Sequence, residues 1–398
     1  MRRAIRENPL ILPIYLPAFL TAVVMGIASP TLPLFVRELQ GSYAAVGLVL
    51  AGRPLGMLLT DIPGSMVLRA FGQKRSMLVG TAASLLALLA MSRATAVWEA
   101  LLYQVIVGIG FSLFAVARHA YLAANVSVET RGRAVALLGG VNRIGVFVGP
   151  TIGGLVASAF TLRVPFLLMG VVTGIALIVL WIWMPPDTGE PFTGEARFGD
   201  YLRQLLTTLG QEKHALGTAG MGQLMAQAVR ATRRTVIPLY AADVIGLDVA
   251  AVGLLDSIGS AIDMTMFYPT GIIMDKYGRK FAVVPSFLLQ GIGIALIPLT
   301  WSFGTLAVVA GLIGFGNGLS SGTMMTIGAD LAPKEGRGEF LGLWRLIGDV
   351  GFFVGPLMVG IVAGAFTLPV ATVVMSSTGF MASGIFAAFV PETLRKTS

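Results

Sequence analysis

The sequence predicts an all-α polytopic membrane protein, with twelve membrane-spanning helices in two pseudo-symmetric six-helix bundles. Three observations predict it. Of 398 residues, 55% are hydrophobic and 12% charged, and the mean hydropathy is +0.82, whereas a soluble domain carries about 25% charged residues. Apolar runs of about 18 residues or more recur from end to end, the length that crosses a ~30 Å hydrocarbon core as a helix. Separate segments of the two halves also match at one constant offset of 206 positions. With no water in the bilayer, a spanning backbone must satisfy its own hydrogen bonds, which helices do and loops do not. Strict apolar/polar alternation, the mark of a membrane β-barrel, is absent.

The elements follow in order. "MRRAIRENPLILPIYLPAFL" starts basic and enters a long apolar segment without a small-residue cleavage site, so span 10–36 reads as retained, not as a removed signal peptide. Spans 43–67 and 76–94 flank Arg69, Lys74 and Arg75, and spans 97–124 and 134–160 flank Arg131 and Arg133. Span 164–185 closes the first half, residues 1–185. The linker, 186–214, carries Arg197, Arg203 and Lys213, and its 198–210 part reads as a surface amphipathic helix. The second half, 215–398, opens with span 215–241. Spans 250–274 and 281–301 flank Lys276, Arg279 and Lys280; spans 304–330 and 340–365 flank Lys334 and Arg337; span 368–390 precedes Arg395 and Lys396. With Arg2, Arg3 and Arg6, these segments hold eighteen Lys and Arg, against three (Arg37, Arg93 and Arg163) in the alternate loops. Positive charge favours the cytoplasmic side, so both termini are expected there, in the cell (inner) membrane. The net charge of +8 is then mostly topology and predicts no nucleic-acid partner.

The offset of 206 takes Gly72 and Lys74 onto Gly278 and Lys280, and Gly108 and Gly110 onto Gly314 and Gly316. It also takes "ETRGRAVALLGGVNRIGVFVGP" (129–150) onto "EGRGEFLGLWRLIGDVGFFVGP" (335–356), with nine of twenty-two positions identical. Parallel halves around a central site are a transporter architecture. "GIIMDKYGRK" carries the pattern G-x-x-x-D-[RK]-x-G-[RK]-[RK] through Gly271, Asp275, Lys276, Gly278, Arg279 and Lys280. On these features the chain resembles the major facilitator superfamily over essentially its whole length. The resemblance implies that this loop is a cytoplasmic gate latch, with Asp275 facing the N-terminus of a helix in the other half, where a carboxylate is stabilised. The first copy has Arg69 at the Asp position and lacks that latch. "GVFVGPTIGG" (145–154) resembles the glycine-rich signature of the fifth helix in drug–proton antiporters, through Gly145, Gly149, Pro150, Gly153 and Gly154; "GFFVGPLMVG" echoes it with Gly355 and Pro356. Small residues every four positions also let any membrane helices pack closely, so both readings stay open. The chain departs from the antiporter pattern twice: Gln104 stands where an arginine is expected, and no carboxylate lies between Leu10 and Val36.

Seven arginines fall inside spans: Arg53, Arg118, Arg143, Arg230, Arg233, Arg234 and Arg345. Each costs about 2.5–3.5 kcal/mol at mid-bilayer on insertion scales and needs a partner, a watery cavity or a route to the surface. Matching depths in helices that the family packs together suggest three pairs: Arg143 with Asp263, Arg53 with Asp349, and Asp61 with Arg345. They read either as static ion pairs or as contacts that break and reform. The resemblance implies a cavity lined by the first, fourth, seventh and tenth helices. Gln223, Gln227, Arg230 and Arg234 are spaced 4, 3 and 4, and Gln104, Phe111 and Arg118 are spaced 7 and 7, so each set shares a helix face. Asn317 and Met324 are the tenth-helix candidates. Cavity and neighbouring helix are both open as what these faces meet.

There is no cysteine, and His119 and His214 lie too far apart to form a metal site alone. No nucleotide-binding loop, nucleophile triad or metal cluster appears, so no enzyme activity, cofactor or ATP coupling is expected. The expected function is secondary active transport of a small molecule by a monomer in the lipid bilayer. Proton-coupled efflux of small amphipathic compounds leads. Movement of an organic anion through the intramembrane arginines is the alternative, and a sensor or passive lipid pathway on the same fold is the third.

Overall fold

The computed structural model describes residues 10–61, 64–187 and 198–394. Arg2, Arg3, Arg6, Arg197, Arg395 and Lys396 of the sidedness count lie outside them. No β-strand occurs among the described residues. Eleven described helices are long and apolar enough to cross a membrane, and the protein is a multi-pass membrane protein.

Residues cluster into two compact units: 1–41, 52–194 and 248–257 form the first, and 42–51, 195–247 and 258–398 the second. The first contains α1 (Leu16–Glu38), entered through a π turn (Ile11–Tyr15), and the later part of α2 (Tyr43–Asp61), followed by α3 (Gly64–Met91). It continues with α4 (Val97–Asn125), α5 (Val128–Ala159) and α6 (Val164–Trp183). Its pairings are α3 with α4, α1 with α5, α3 with α6 and α1 with α6. Phe35 of α1 and Phe166 of α6, both fully buried, meet at 4.8 Å between ring centroids.

The second unit begins with the linker helix α7 (Phe198–Gln211), then α8 (Lys213–Asp243), and receives the later part of α9 (Val249–Thr265). It continues with α10 (Phe267–Lys276), α11 (Lys280–Leu296), α12 (Phe303–Leu319), α13 (Thr323–Leu331), α14 (Arg337–Ala365) and α15 (Leu368–Ala388). The pairings repeat those of the first unit, helix for helix: α11 with α12, α8 with α14, α11 with α15 and α8 with α15. The sequence repeat is therefore a structural repeat. α8 is the least apolar long helix, with Lys213, Arg230, Arg233, Arg234 and Asp243 on it, and is outside the eleven. α7 buries Leu205 and Thr208 and exposes Leu206 and Leu209.

Two predicted spans differ from the helices observed. Between predicted spans 43–67 and 76–94 the chain turns at Gly72, whose φ of +80° is available to glycine without the steric cost a side chain brings. Span 304–330 is two helices, broken at Gly322 with φ +75°. Span 250–274 is divided between α9 and α10 at Met266. Hydropathy fixes how much apolar chain is present; it does not register a local break whose freed carbonyls find partners inside the protein.

Candidate functional site

Each unit holds its own arginine–aromatic cluster. In the first, Arg53 of α2 lies with its guanidinium 4.5 Å from the ring centre of Phe111 on α4, and its Nη2 is 3.2 Å from the sulfur of Met25 on α1. A cation over an aromatic face is stabilised by the ring quadrupole, more so where water is scarce. Three helices thus meet at one half-buried charge. Arg118, seven residues along α4, is buried with its guanidinium 5.3 Å from the Phe114 ring. Gln104 is buried against α2, where a side chain on Gly52 would come within 3.1 Å of it.

In the second unit Arg230 of α8 reaches the break between α12 and α13. Its Nη2 donates to the Ser320 hydroxyl at 2.7 Å and to the Ser320 carbonyl at 3.3 Å, and its Nη1 donates to Gln227 at 3.2 Å. Its guanidinium also lies 5.6 Å from the Phe287 ring centre. A helix ends with unbonded carbonyls and the negative end of its dipole, so a cation at Ser320 is electrostatically matched. The two glutamines of the stripe meet a helix: Gly348 of α14 lies against the Gln223 amide and Gly351 against the Gln227 side chain, while Arg234 is exposed. Asn317 donates no described side-chain bond, but its carbonyl accepts from the Ser320 amide and hydroxyl. Met324 is buried, with its carbonyl accepting from Trp344 at 3.0 Å.

The three charge pairs expected from the sequence each join residues of different units. Inside the units, Asp61 accepts from Ser112 at 2.8 Å, and Arg345 contacts Asp349 at 3.5 Å along α14. Arg143 and Asp263 are both half-buried.

The glycine-rich stretches are sites of close helix approach. A Cβ on Gly149 would lie 2.6 Å from the Gly26 Cα of α1, and one on Gly145 would lie 2.6 Å from Ala22. Gly154 approaches Ala250 and Gly253 of α9. In the second unit Gly355 meets Ala228 and Ala231, while the carbonyl of Pro356 packs on Gly47.

The charged loop after α10 is held by a residue that the sequence reading did not single out. Glu392, beyond α15, accepts the backbone amides of Arg279 at 2.9 Å and Lys280 at 3.0 Å. Gly278, at φ +121°, leaves the space that the Glu392 carboxylate occupies. Arg279 bonds Asp330 at 3.1 Å, and Thr393 donates to the same carboxylate at 2.8 Å. Asp275 is 81% exposed and contacts Arg279 at 3.5 Å; Lys276 lies over Tyr277, and Gly271 has open space around it. The first unit repeats the clamp. Asp187, beyond α6, accepts the amides of Gln73 at 2.8 Å and Lys74 at 3.1 Å, and occupies the space left by Gly72. Lys74 and Lys280 donate to the last-turn carbonyls of Met184 and Ala387 at 2.6 and 2.7 Å. The signal was present, as Pro-Asp-Thr (186–188) and Pro-Glu-Thr (391–393) recur 205 positions apart. Desolvation pushes the Glu392 carboxyl up, but amides of Leu394, Lys280, Arg279 and Thr393 outweigh it and hold the group below its ordinary range. Asp256 was also missed. It is a lone acid in the apolar run "AVGLLDSIGS", and it accepts from Ser29 of α1 at 2.6 Å.

Among the described residues no group of three or more His, Cys, Asp and Glu could hold a metal ion. A family model described as Major Facilitator Superfamily matches residues 14–218 and again 219–398. The chain is 22% identical over 365 residues to a "Multi-drug resistance efflux pump PmrA homolog" of Lactococcus lactis, covering 88% of this chain and 87% of that one. It is 25% identical over 316 residues to the "Multidrug resistance protein MdtH" of Klebsiella pneumoniae, covering 78% and 76%. Among solved structures, the nucleoside transporter NupG superposes with a TM-score of 0.76 at 14% identity, covering 95% of this chain and 98% of that one. A likeness of that kind speaks to fold alone.

Proposed function

The chain belongs to the major facilitator superfamily, and from that premise we propose that it is a secondary active transporter working by alternating access, which expels small amphipathic compounds in exchange for protons. A transporter with two homologous bundles moves cargo by rearranging them around a central site. The observation that carries the efflux reading is the likeness, over most of both chains, to relatives named as multidrug resistance proteins. The glycine-rich stretch 145–154 supports it. The cytoplasmic placement of both termini in an inner membrane rests on the Lys and Arg count. The experiment is flux in proteoliposomes under an imposed pH gradient, with ethidium as the cationic probe. Gradient-driven ethidium accumulation supports the reading, and gradient-independent flux overturns it.

A second reading, transport of an organic anion, is favoured by one observation. Arg53 and Arg230 each bring a guanidinium against an aromatic ring within a spanning helix bundle. A fluorescent organic anion in the same vesicles separates the two readings, since the cargo that competes with ethidium reveals the sign of charge the site accepts.

A further inference from the structure

α9 opens at Asp248, which accepts the Ala251 amide at 3.1 Å and the Ser158 hydroxyl of α5 at 3.3 Å. Asp256 lies eight residues further on, which is about 12 Å along the helix at 1.5 Å per residue. It accepts from the Ser29 hydroxyl of α1 at 2.6 Å. The next residue, Ser257, donates to the Phe147 carbonyl at 2.8 Å and meets the Thr151 hydroxyl at 2.7 Å. An apolar helix therefore brings two carboxylates and the Ser257 hydroxyl into contact with α1 and α5, and it is sealed against α5 by the close approach of Pro150 and Gly154 to Gly253. An ionisable group at membrane depth costs folding energy and marks a working position.

We propose that Asp256 carries the coupled proton, taken up from the side of the membrane at which Asp248 begins α9. The inference rests on the proton-exchange reading above, and it supplies a carboxylate that α1 lacks between Leu16 and Glu38. A serine hydroxyl both donates and accepts. With Asp256 ionised, Ser29 donates to it; when water on that side delivers a proton to the carboxylate, the new O–H donates to the Ser29 oxygen. Release to the opposite side restores the first arrangement, so the contact survives both halves of the cycle. Asp61 shares the hydroxyl chemistry through Ser112, but in predicted span 43–67 it lies six residues from the cytoplasmic end of the proposed sidedness. On the elements against Asp256, the charges of α1 are Arg37 and Glu38 at its end, and the charge of α5 within the membrane is Arg143, eight residues from Thr151. On α9 itself they are Asp248 and Asp263.

The test uses the full chain in proteoliposomes, with ethidium as probe, and the same protein in infrared difference spectroscopy between neutral and acidic pH. Asp256→Asn is expected to lose gradient-driven accumulation while slower downhill ethidium equilibration stays measurable, and Asp256→Glu is expected to restore coupling. The acid-minus-neutral spectrum is expected to show a protonated-carboxyl band that Asp256→Asn removes and Ser29→Ala displaces. Gradient-driven accumulation by Asp256→Asn, or an unaltered carboxyl band, overturns the assignment. Loss of both flux modes by a monodisperse, folded Asp256→Asn protein overturns it too, since the residue is then structural. If the wild type shows no gradient-driven ethidium flux, the efflux reading falls, while the infrared band still decides whether Asp256 binds the proton.

Discussion

Arg230 shows how far a single residue can be read from sequence. Its placement on a face with Gln223 and Gln227 left a cavity and a neighbouring helix both open. The structure joins it to Ser320, where α12 ends, through two bonds to one residue. Hydrogen bonds to charged groups contribute about 1.5–3 kcal/mol, and the planar guanidinium fork is what lysine cannot reproduce. Arg230→Gln is therefore expected to lower the thermal unfolding midpoint of the purified protein, and Arg230→Lys to lower it less. Flux then reports the cargo. An anionic substrate requires both variants to lose transport at temperatures where they remain folded, whereas a cationic substrate tolerates Arg230→Gln. Equal midpoints for wild type and both variants would mean that the Ser320 contact contributes nothing to the fold.

Among elements, the clamps at Asp187 and Glu392 and the contact of α1 with α5 give the sharpest expectations. Glu392 has its folded pKa depressed below the ordinary 4.5. A depressed carboxylate stabilises the fold above its unfolded pKa, and that stability is lost as the pH falls through the folded value. Glu392→Gln should thus be less stable than wild type at neutral pH, and the difference should shrink on acidification below about 4.5. A pH series of unfolding midpoints checks this, and parallel curves would exclude the carboxylate as the cause. The helix contact is tested by glycine. Gly149→Ala drives a methyl into Gly26, and such overpacking costs about 1–3 kcal/mol. Gly140→Ala in the same helix meets nothing within 4 Å and should be close to neutral in the same unfolding assay. A neutral Gly149→Ala would show that α1 and α5 yield easily at this contact.

For the whole molecule, the Lys and Arg asymmetry makes a direct statement about orientation. Eighteen basic residues against three predict a cytoplasmic C-terminus. A green fluorescent protein fused there should fluoresce, and alkaline phosphatase fused at the same point should be inactive; the opposite pattern inverts the topology. The chain is also expected to lose proton-driven ethidium flux when the pH gradient is collapsed by an ionophore. Flux that survives collapse would point to a passive pathway on the same fold.

By itself the sequence determined the helical membrane class, the two homologous halves and most of the spans, because bilayer thickness imposes length and hydropathy on every crossing segment. It also carried the repeat, since the 206-position offset reappears as four matching helix pairings in each unit. Tertiary structure alone decided what the polar residues touch. Gln223 and Gln227 share a face with Arg230, yet the two amides pack on Gly348 and Gly351 while the guanidinium reaches Ser320. Periodicity states which side of a helix a residue occupies but not which neighbour stands there. Glu392 and Gly278 are separated by 114 positions, and Asp256 and Ser29 by 227. Contacts of that range arise from how helices are stacked, a property that no local stretch of chain contains.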